Sequence, residues 1–423
     1  MPEALSFPMI DGERLRRFMD EVSAFGATKG GGVDRPAGTR EHGRARDWLR
    51  GQLEAAGLRV AIDPIGNLFG ILEWAGPDAP LILTGSHLDS QPNGGRFDGA
   101  YGVVASLEAI LALKGHAQAH GLSPRCNLAL VDWMNEEGAR FQPSLLGSSV
   151  FGGQLTLDYA LSRKDGDGVS VETALRETGY LGKDEAPNPV SYLEMHVECG
   201  GDLEASGRKI GPFARHWGAL KVKIKVTGRQ THTGPTPMAH RQDALLGAAY
   251  LIAAIRDLSP RAADTLYTSV GRIEVIPNSP NIVPGEALLF AELRSPEMAV
   301  LEWAEGELNA ALGPCADKAG VRAEILSIDR RPAGRFAPGL VRLAQEEAED
   351  LGLSTQTLDT IGGHDAIPVL ARCPAIVVAV PSVGGICHNA VEFTPHEDLE
   401  NGTRLLTRML WRLDRMDGRP SGT

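Results

Sequence analysis

Trp48, Leu49, Leu53 and Ala56 recur at helical spacing in the segment EHGRARDWLRGQLEAA (41–56), and Gly57 supplies the stop expected after a helix. Short β-like runs follow at Leu58–Ile62, Leu68–Glu73 and Leu81–Thr84. Gly102–Lys114 then reads as a helix, and Asn127–Trp133 as a buried strand. Alternation of this kind predicts an α/β layer architecture, with a mixed, mostly parallel sheet and helices on both faces. Ligand sites in such sheets form at the carboxyl ends of strands. His87 and the pair Glu136–Glu137 stand just beyond two of them.

The pattern changes near Ala214. LKVKIKV (220–226) alternates apolar and basic residues with period two, as a half-exposed strand does. A helix at Asp243–Ile255, strands at Gly271–Val275 and Ala287–Leu293, a helix at Pro296–Leu312 and a strand at Arg322–Ile328 complete a strand-helix-strand-strand-helix-strand order. That order matches a ferredoxin-like α+β module. The first pattern then resumes, with a helix at Leu340–Asp350, the glycine loop Ile361–Ala366, the apolar strand Ala375–Val380 and a helix at Leu399–Leu413. The predicted organisation is a discontinuous catalytic domain, 1–213 and 331–423, interrupted by an inserted domain at 214–330. The apolar run Ala244–Ile255 is too short for a membrane span and reads as a buried helix.

Composition narrows the partners. The 423 residues carry 42 basic and 54 acidic side chains, a net charge of -12, which opposes association with nucleic acid or anionic membranes. Fifty glycines, many beside His, Asp or Glu, mark tight loops around a site. Five cysteines, widely spaced and without a CxxC, suggest neither a disulfide framework nor a cysteine zinc site. The segment MPEALSFPMIDGERLRRF shows no basic stretch followed by an apolar core. Together these features predict a cytoplasmic protein.

Candidate chemistry concentrates in a few segments. In GSHLD, His87 is placed to ligate a metal, with Asp89 two residues on accepting a hydrogen bond from the other ring nitrogen. Asp98, in the glycine-rich run that follows, is placed to bridge two ions. Glu136 and Glu137 are adjacent carboxylates at the end of an apolar strand, where one can bind metal while the other moves protons. His196 and His388 complete a set of N and O ligands suited to divalent Zn, Mn, Co or Ni. Five ligands with Asp98 shared make two sites.

GSHLDSQPNGGRFDGAYGV, NEEGARF, HVECGGDLE, THTGPTPM, PNSPNIVPG, IGGHDA and GICHNAVEFT, in this order, resemble the hydantoinase/carbamoylase amidases of the M20 metallopeptidase-like group. The resemblance implies a homodimeric, binuclear amidohydrolase acting on a small carboxylate substrate: an N-carbamoyl-L-amino acid, 3-ureidopropionate or allantoate. The same fold also hosts N-acyl-amino-acid deacylases and peptidases. It implies that His87, Asp98 and His196 hold one ion and Asp98, Glu137 and His388 the other. Glu136 would be the general base, His232 would polarise the scissile carbonyl from the neighbouring subunit, and Asn281 and Arg294 would hold the substrate carboxylate. Gly363 and His364 of the IGGHDA loop would also line the substrate site. A cis peptide is expected at Asp98–Gly99. One departure stands out, since the family usually has Gln where this chain has Cys199, a position expected to touch substrate.

Overall fold

The computed structural model describes residues 7–420, which divide into two compact units. The first comprises the chain up to Ala214, Phe336–Leu358 and everything from Gly362 onward; the second is Arg215–Arg335 with Asp359–Ile361.

In chain order the first unit lays down α1 (Gly12–Ser23), α2 (Arg40–Ala55), β1 (Arg59–Ile62), β2 (Leu68–Leu72), β3 (Leu81–His87), α3 (Ala100–His120), β4 (Asn127–Trp133), β5 (Ser191–Val197) and β6 (Gly211–His216). The second unit supplies β7 (Gly218–Thr227), α4 (Ala244–Arg256), β8 (Tyr267–Ile276), β9 (Glu286–Ser295), α5 (Met298–Ala319) and β10 (Arg322–Arg331). The chain then returns with α6 (Pro338–Asp350), β11 (Ala375–Val380) and α7 (His396–Asp414).

The large sheet runs β1-β2-β4-β3-β5-β11-β6. Its central strands β4, β3, β5 and β11 are parallel, while β1, β2 and β6 pair antiparallel at the two sides. All seven residues of β4 and of β5 are buried, as strands covered on both faces require. One apolar cluster packs α1, α2, α3, α6 and α7 on one face of the sheet; a second, around Trp133, Phe151, Phe213 and Phe336, fills the other. Strand β3 runs on through His87, three residues beyond its expected end. His87 is therefore fixed by the ladder with Trp133.

The second unit is a four-stranded antiparallel sheet, β10-β7-β9-β8, with α4 and α5 against it. Leu220, Val222, Ile224 and Val226 are buried while Lys221, Lys223 and Lys225 stay partly exposed, the face-by-face alternation that the LKVKIKV pattern encodes.

A buried ion pair ties α2 to the ligand-bearing end of the large sheet. Arg46 Nε donates to Asp132 Oδ2 at 2.6 Å, with both side chains essentially inaccessible. The other oxygen of Asp132 accepts the Leu88 N–H at 2.8 Å, which anchors the backbone next to His87. Removing one member of a buried pair strands the other, at a cost of about 3–5 kcal/mol. Arg46→Met should lower the midpoint of urea unfolding accordingly, and Arg46→Met combined with Asp132→Leu should recover part of that loss. A single variant as stable as the parent would show that Asp132 is satisfied without Arg46.

Candidate metal centre

The ligand-bearing loops meet at the carboxyl ends of the parallel strands. His87 ends β3, His196 is the penultimate residue of β5, and Glu136–Glu137 follow β4. Asp98 precedes α3 and stands between the histidines. Its Oδ1 lies 3.2 Å from His196 Nε2 and 3.9 Å from His87 Nε2. Its Oδ2 lies 3.2 Å from His388 Nε2, which is also 3.2 Å from Glu137 Oε2. Ligands each about 2.0–2.2 Å from one tetrahedral ion sit roughly 3.3–3.6 Å apart, so these spacings suit a divalent ion on each side of Asp98. Two donor clusters, His87 with Asp98 and His196, and Asp98 with Cys387 and His388, mark a binuclear divalent-metal site.

The outward nitrogens of the rings support this fit. His87 Nδ1 lies 2.9 Å from the Asp89 carbonyl oxygen, and His196 Nδ1 lies 2.8 Å from that of Val197. With Nδ1 occupied by a backbone carbonyl, Nε2 of each ring is the nitrogen turned toward Asp98 and the one a metal would take. The expected partner of His87 was the Asp89 carboxylate. In the structure the backbone carbonyl of Asp89 takes that role; its carboxylate lies 3.7 Å away and instead accepts the N–H groups of Glu136 and Glu137, at 3.2 and 3.3 Å. Asp89 thereby shapes the turn that carries the two glutamates.

Glu136 is buried, with Oε2 3.5 Å from His87 Nε2. Burial, then the charges of Asp365, Glu137, Asp89 and Asp98, push its carboxyl well above the usual range. Glu137 is held by Gln91, whose backbone N–H and side-chain Nε2 donate to it at 3.1 and 3.0 Å. His364 is buried, its ring edge-on to His196 at 4.6 Å, and Gly363 beside it is partly exposed. Cys199, three residues past His196, is exposed.

The Asp98–Gly99 peptide is not cis; the cis bonds among the described residues precede Pro143 and Pro277. A γ-turn reverses the chain there instead, with Ala100 N–H donating to Asp98 O at 2.6 Å and Gly99 at φ +64°. A Cβ at Gly99 would lie 2.3 Å from the His87 ring, so this position admits only glycine.

His232, Asn281 and Arg294 belong to the second unit. His232 is exposed in a two-residue strand paired with Ile282–Val283, its Nδ1 accepting the Gly234 N–H at 2.9 Å. Asn281 is exposed, and its carbonyl accepts the Thr233 N–H at 3.2 Å. Arg294 pairs with Glu292 at 2.9 Å and donates to the Ile361 carbonyl.

Residues 83–412 match the family model of peptidase family M20/M25/M40. A crystal structure of a hydantoinase/carbamoylase family amidase from Burkholderia vietnamiensis superposes with a TM-score of 0.90 at 36% identity, covering 96% of this chain and 98% of that one. The chain belongs to the hydantoinase/carbamoylase family of amidases. It is 33% identical to an N-carbamoyl-L-amino-acid amidohydrolase of Rhizobium meliloti, over 94% of this chain and 95% of that protein. It is also 33% identical to an allantoate amidohydrolase of Bacillus subtilis, over 94% and 96%. The protein is thus a metal-binding hydrolase of amide-type C–N bonds. Among the described residues no helix is long and apolar enough to cross a membrane.

Sequence reasoning missed the carboxylates that support this amidase centre from behind. Glu392 Oε1 accepts the N–H groups of Phe97 and Asp98 at 2.8 and 3.0 Å and so positions Asp98. Glu194 accepts from Ser86 Oγ and from the Ala366 N–H, both at 2.9 Å, joining β3, β5 and the IGGHDA loop. An acid inside an otherwise apolar run, as in AVEFT or SYLEMHV, was the available signal.

Burial pushes the His196 imidazole down, but the hydrogen bond and charge of Asp98, with Glu194, carry it up to about 10. Hydrogen bonds to Asp98 and Glu137 outweigh burial and raise His388 to about 11. In metal-free protein these raised values stabilise the fold fully below the ordinary histidine pKa of about 6.5, and that contribution fades as pH rises toward 10–11. The melting temperature of metal-free protein should therefore fall between pH 6.5 and 9.5, and fall less steeply in His388→Asn. Equal slopes for the two proteins would mean that the ion pair of His388 with Asp98 and Glu137 adds nothing to the metal-free fold.

Proposed function

We propose that the protein is a binuclear amidohydrolase that cleaves the carbamoyl C–N bond of N-carbamoyl-L-amino acids or 3-ureidopropionate. One water is consumed, and amino acid, ammonia and carbon dioxide are released. The observation that carries this reading is the shared position of Asp98, with His87 and His196 on one side and Glu137 and His388 on the other, and Glu136 alongside.

Bound divalent ions of the Zn, Mn, Co or Ni type would polarise the ureido carbonyl and acidify the attacking water. Glu136 takes the proton of that water and passes it to the departing nitrogen. Burial and the neighbouring acids raise its carboxyl, which favours the protonated form from which it passes the proton on. The clamp of Asp89 on the two glutamate N–H groups keeps Glu136 and Glu137 in separate roles, base and ligand. His364, held edge-on to His196, and Gly363 beside it would line the substrate site.

Arg294 and Asn281 hold the substrate carboxylate. The Arg294 guanidinium suits a carboxylate because its paired donors match the two oxygens. Its present partner is Glu292, which substrate would displace. His232 stabilises the developing oxyanion across a homodimer of the cytoplasmic enzyme, the 214–330 module serving as lid and dimerisation domain. Cys199 offers substrate a small, weakly polar surface and favours carbamoyl-amino acids over the more polar allantoate.

Glu136→Gln should retain the metals while kcat falls by at least about 10²–10⁴. Metal loss in this variant, with metal retained in Glu137→Gln, would reverse the two assignments. Ammonia release across carbamoyl-amino acids, 3-ureidopropionate, allantoate and N-acyl-amino acids identifies the substrate class, with the first two expected to lead. Arg294→Ala should lower kcat/KM roughly 10- to 150-fold for those carboxylates and leave their esters unaffected. Allantoate as the best substrate would overturn the specificity assignment.

A further inference from the structure

One row across the sheet of the second unit gathers two arginines. Ala219 of β7 stands opposite Arg294 of β9 on one side and opposite Arg331 of β10 on the other, and directly opposed residues of antiparallel strands share a face. Neighbouring strands lie about 4.8 Å apart, so the two arginines start roughly 10 Å from each other, with only the Ala219 methyl group between them. Both side chains lean to one point. Arg294 Nη1 donates to the Ile361 carbonyl, and Arg331 Nη2 donates to the same oxygen at 3.4 Å. The next row of this face holds Asp329, Lys221 and Glu292, with Arg294 Nη2 2.9 Å from Glu292 Oε1. Burial holds the Lys221 amine below its ordinary value; Glu292 and Asp329 act to raise it, Arg331 and Arg294 to lower it. Asp359, two residues before Ile361, is engaged by Arg215, whose Nε and Nη2 donate to its two oxygens at 3.0 and 2.6 Å.

We propose that Arg331 is a second substrate-binding arginine, which together with Arg294 grips the substrate carboxylate from two sides and sets the preference for anionic substrates. Two guanidiniums that share one neutral carbonyl oxygen repel each other, and an anion set between them relieves that repulsion. Three cations, Lys221, Arg294 and Arg331, meet two carboxylates, Glu292 and Asp329, in these two rows. This part of the face therefore carries one positive charge in excess, which a single substrate carboxylate neutralises.

The row is shaped for such a ligand. Ala219 leaves the floor between the guanidiniums open, where a longer side chain would fill it. Each guanidinium presents paired donors that match the two oxygens of a carboxylate. Glu292 stands opposite Lys221 in the ladder and turns to that amine when substrate displaces it from Arg294. An arginine that served only to hold the backbone at Ile361 would require neither the second guanidinium nor the excess charge.

This inference rests on the proposed role of Arg294, and the experiment separates the two. Ammonia release by the full-length, metal-loaded protein is measured on the best carboxylate substrate of the panel and on its methyl ester. The parent, Arg331→Gln, Arg331→Lys and Arg294→Ala are compared, with the metal content and melting temperature of each recorded. Arg331→Gln should raise KM for the acid roughly 10- to 100-fold, as loss of a charge-assisted bond does, while kcat stays within about twofold and kcat/KM for the ester is unchanged. Arg331→Lys keeps the charge but not the paired donors; its KM should fall between the two, and it carries the test if the glutamine variant melts early. An unchanged KM in the folded variants, a loss of kcat alone, or equal losses on acid and ester would each overturn the proposal, the last two because Arg331 would then act only on the backbone at Ile361. Full preference for the acid in Arg294→Ala would instead overturn the carboxylate site of the proposed function. No ammonia from any substrate of the panel would overturn that function itself, whatever Arg331 does.

Discussion

Negative charge crowded into a buried site is the constraint around which this structure is arranged. Asp89, Asp98, Asp132, Glu136, Glu194 and Asp365 are all buried near the carboxyl ends of the parallel strands. Carboxylates removed from water cannot all ionise unless cations or donors face them. Arg46 answers Asp132, backbone N–H groups answer Asp89, Glu194 and Glu392, and imidazoles answer Asp98. Burial and neighbouring acids still raise Glu136 and Asp365 well above the ordinary carboxyl range. Asp98 goes the other way, because the hydrogen bonds of His196 and His388 outweigh its burial and hold it well below that range. A pair of divalent cations beside Asp98 relieves the same imbalance, which is why the donor set and the fold are one problem.

The glycines serve this crowding. Gly99 lets the chain turn directly beneath His87, and Gly95 leaves room for the Glu392 carboxyl, into which a Cβ would project at 2.0 Å. Backbone therefore approaches the ligands more closely than any side chain would allow, and backbone N–H and C=O groups become the partners of acids and imidazoles. The high glycine content is a consequence of building a polar site inside an apolar sheet.

The arrangement also separates functions along the chain. Ladders fix His87 opposite Trp133 and His196 opposite Ala379, and the glutamate pair follows β4 in a turn held by Asp89. His388, by contrast, sits in a loop with half its side chain exposed and depends on neighbours for its position.

Much of this was legible in the sequence. Period-two alternation in LKVKIKV and helical spacing in 41–56 are local consequences of which face each residue shows to the core, so these elements fall within a residue or two of their expected bounds. His87, Asp98, Glu137, His196 and His388 were recognisable as a set of N and O donors and by the ordered motifs that resemble the family, since each taken alone is more often structural, and the tertiary fold brings these five together. Sequence could not decide which atom of Asp89 meets His87, that a γ-turn replaces a cis peptide at Gly99, or that Glu392 reaches back across the chain to Asp98. Those outcomes depend on contacts between residues as many as 295 positions apart, where packing geometry rather than local preference selects the partner.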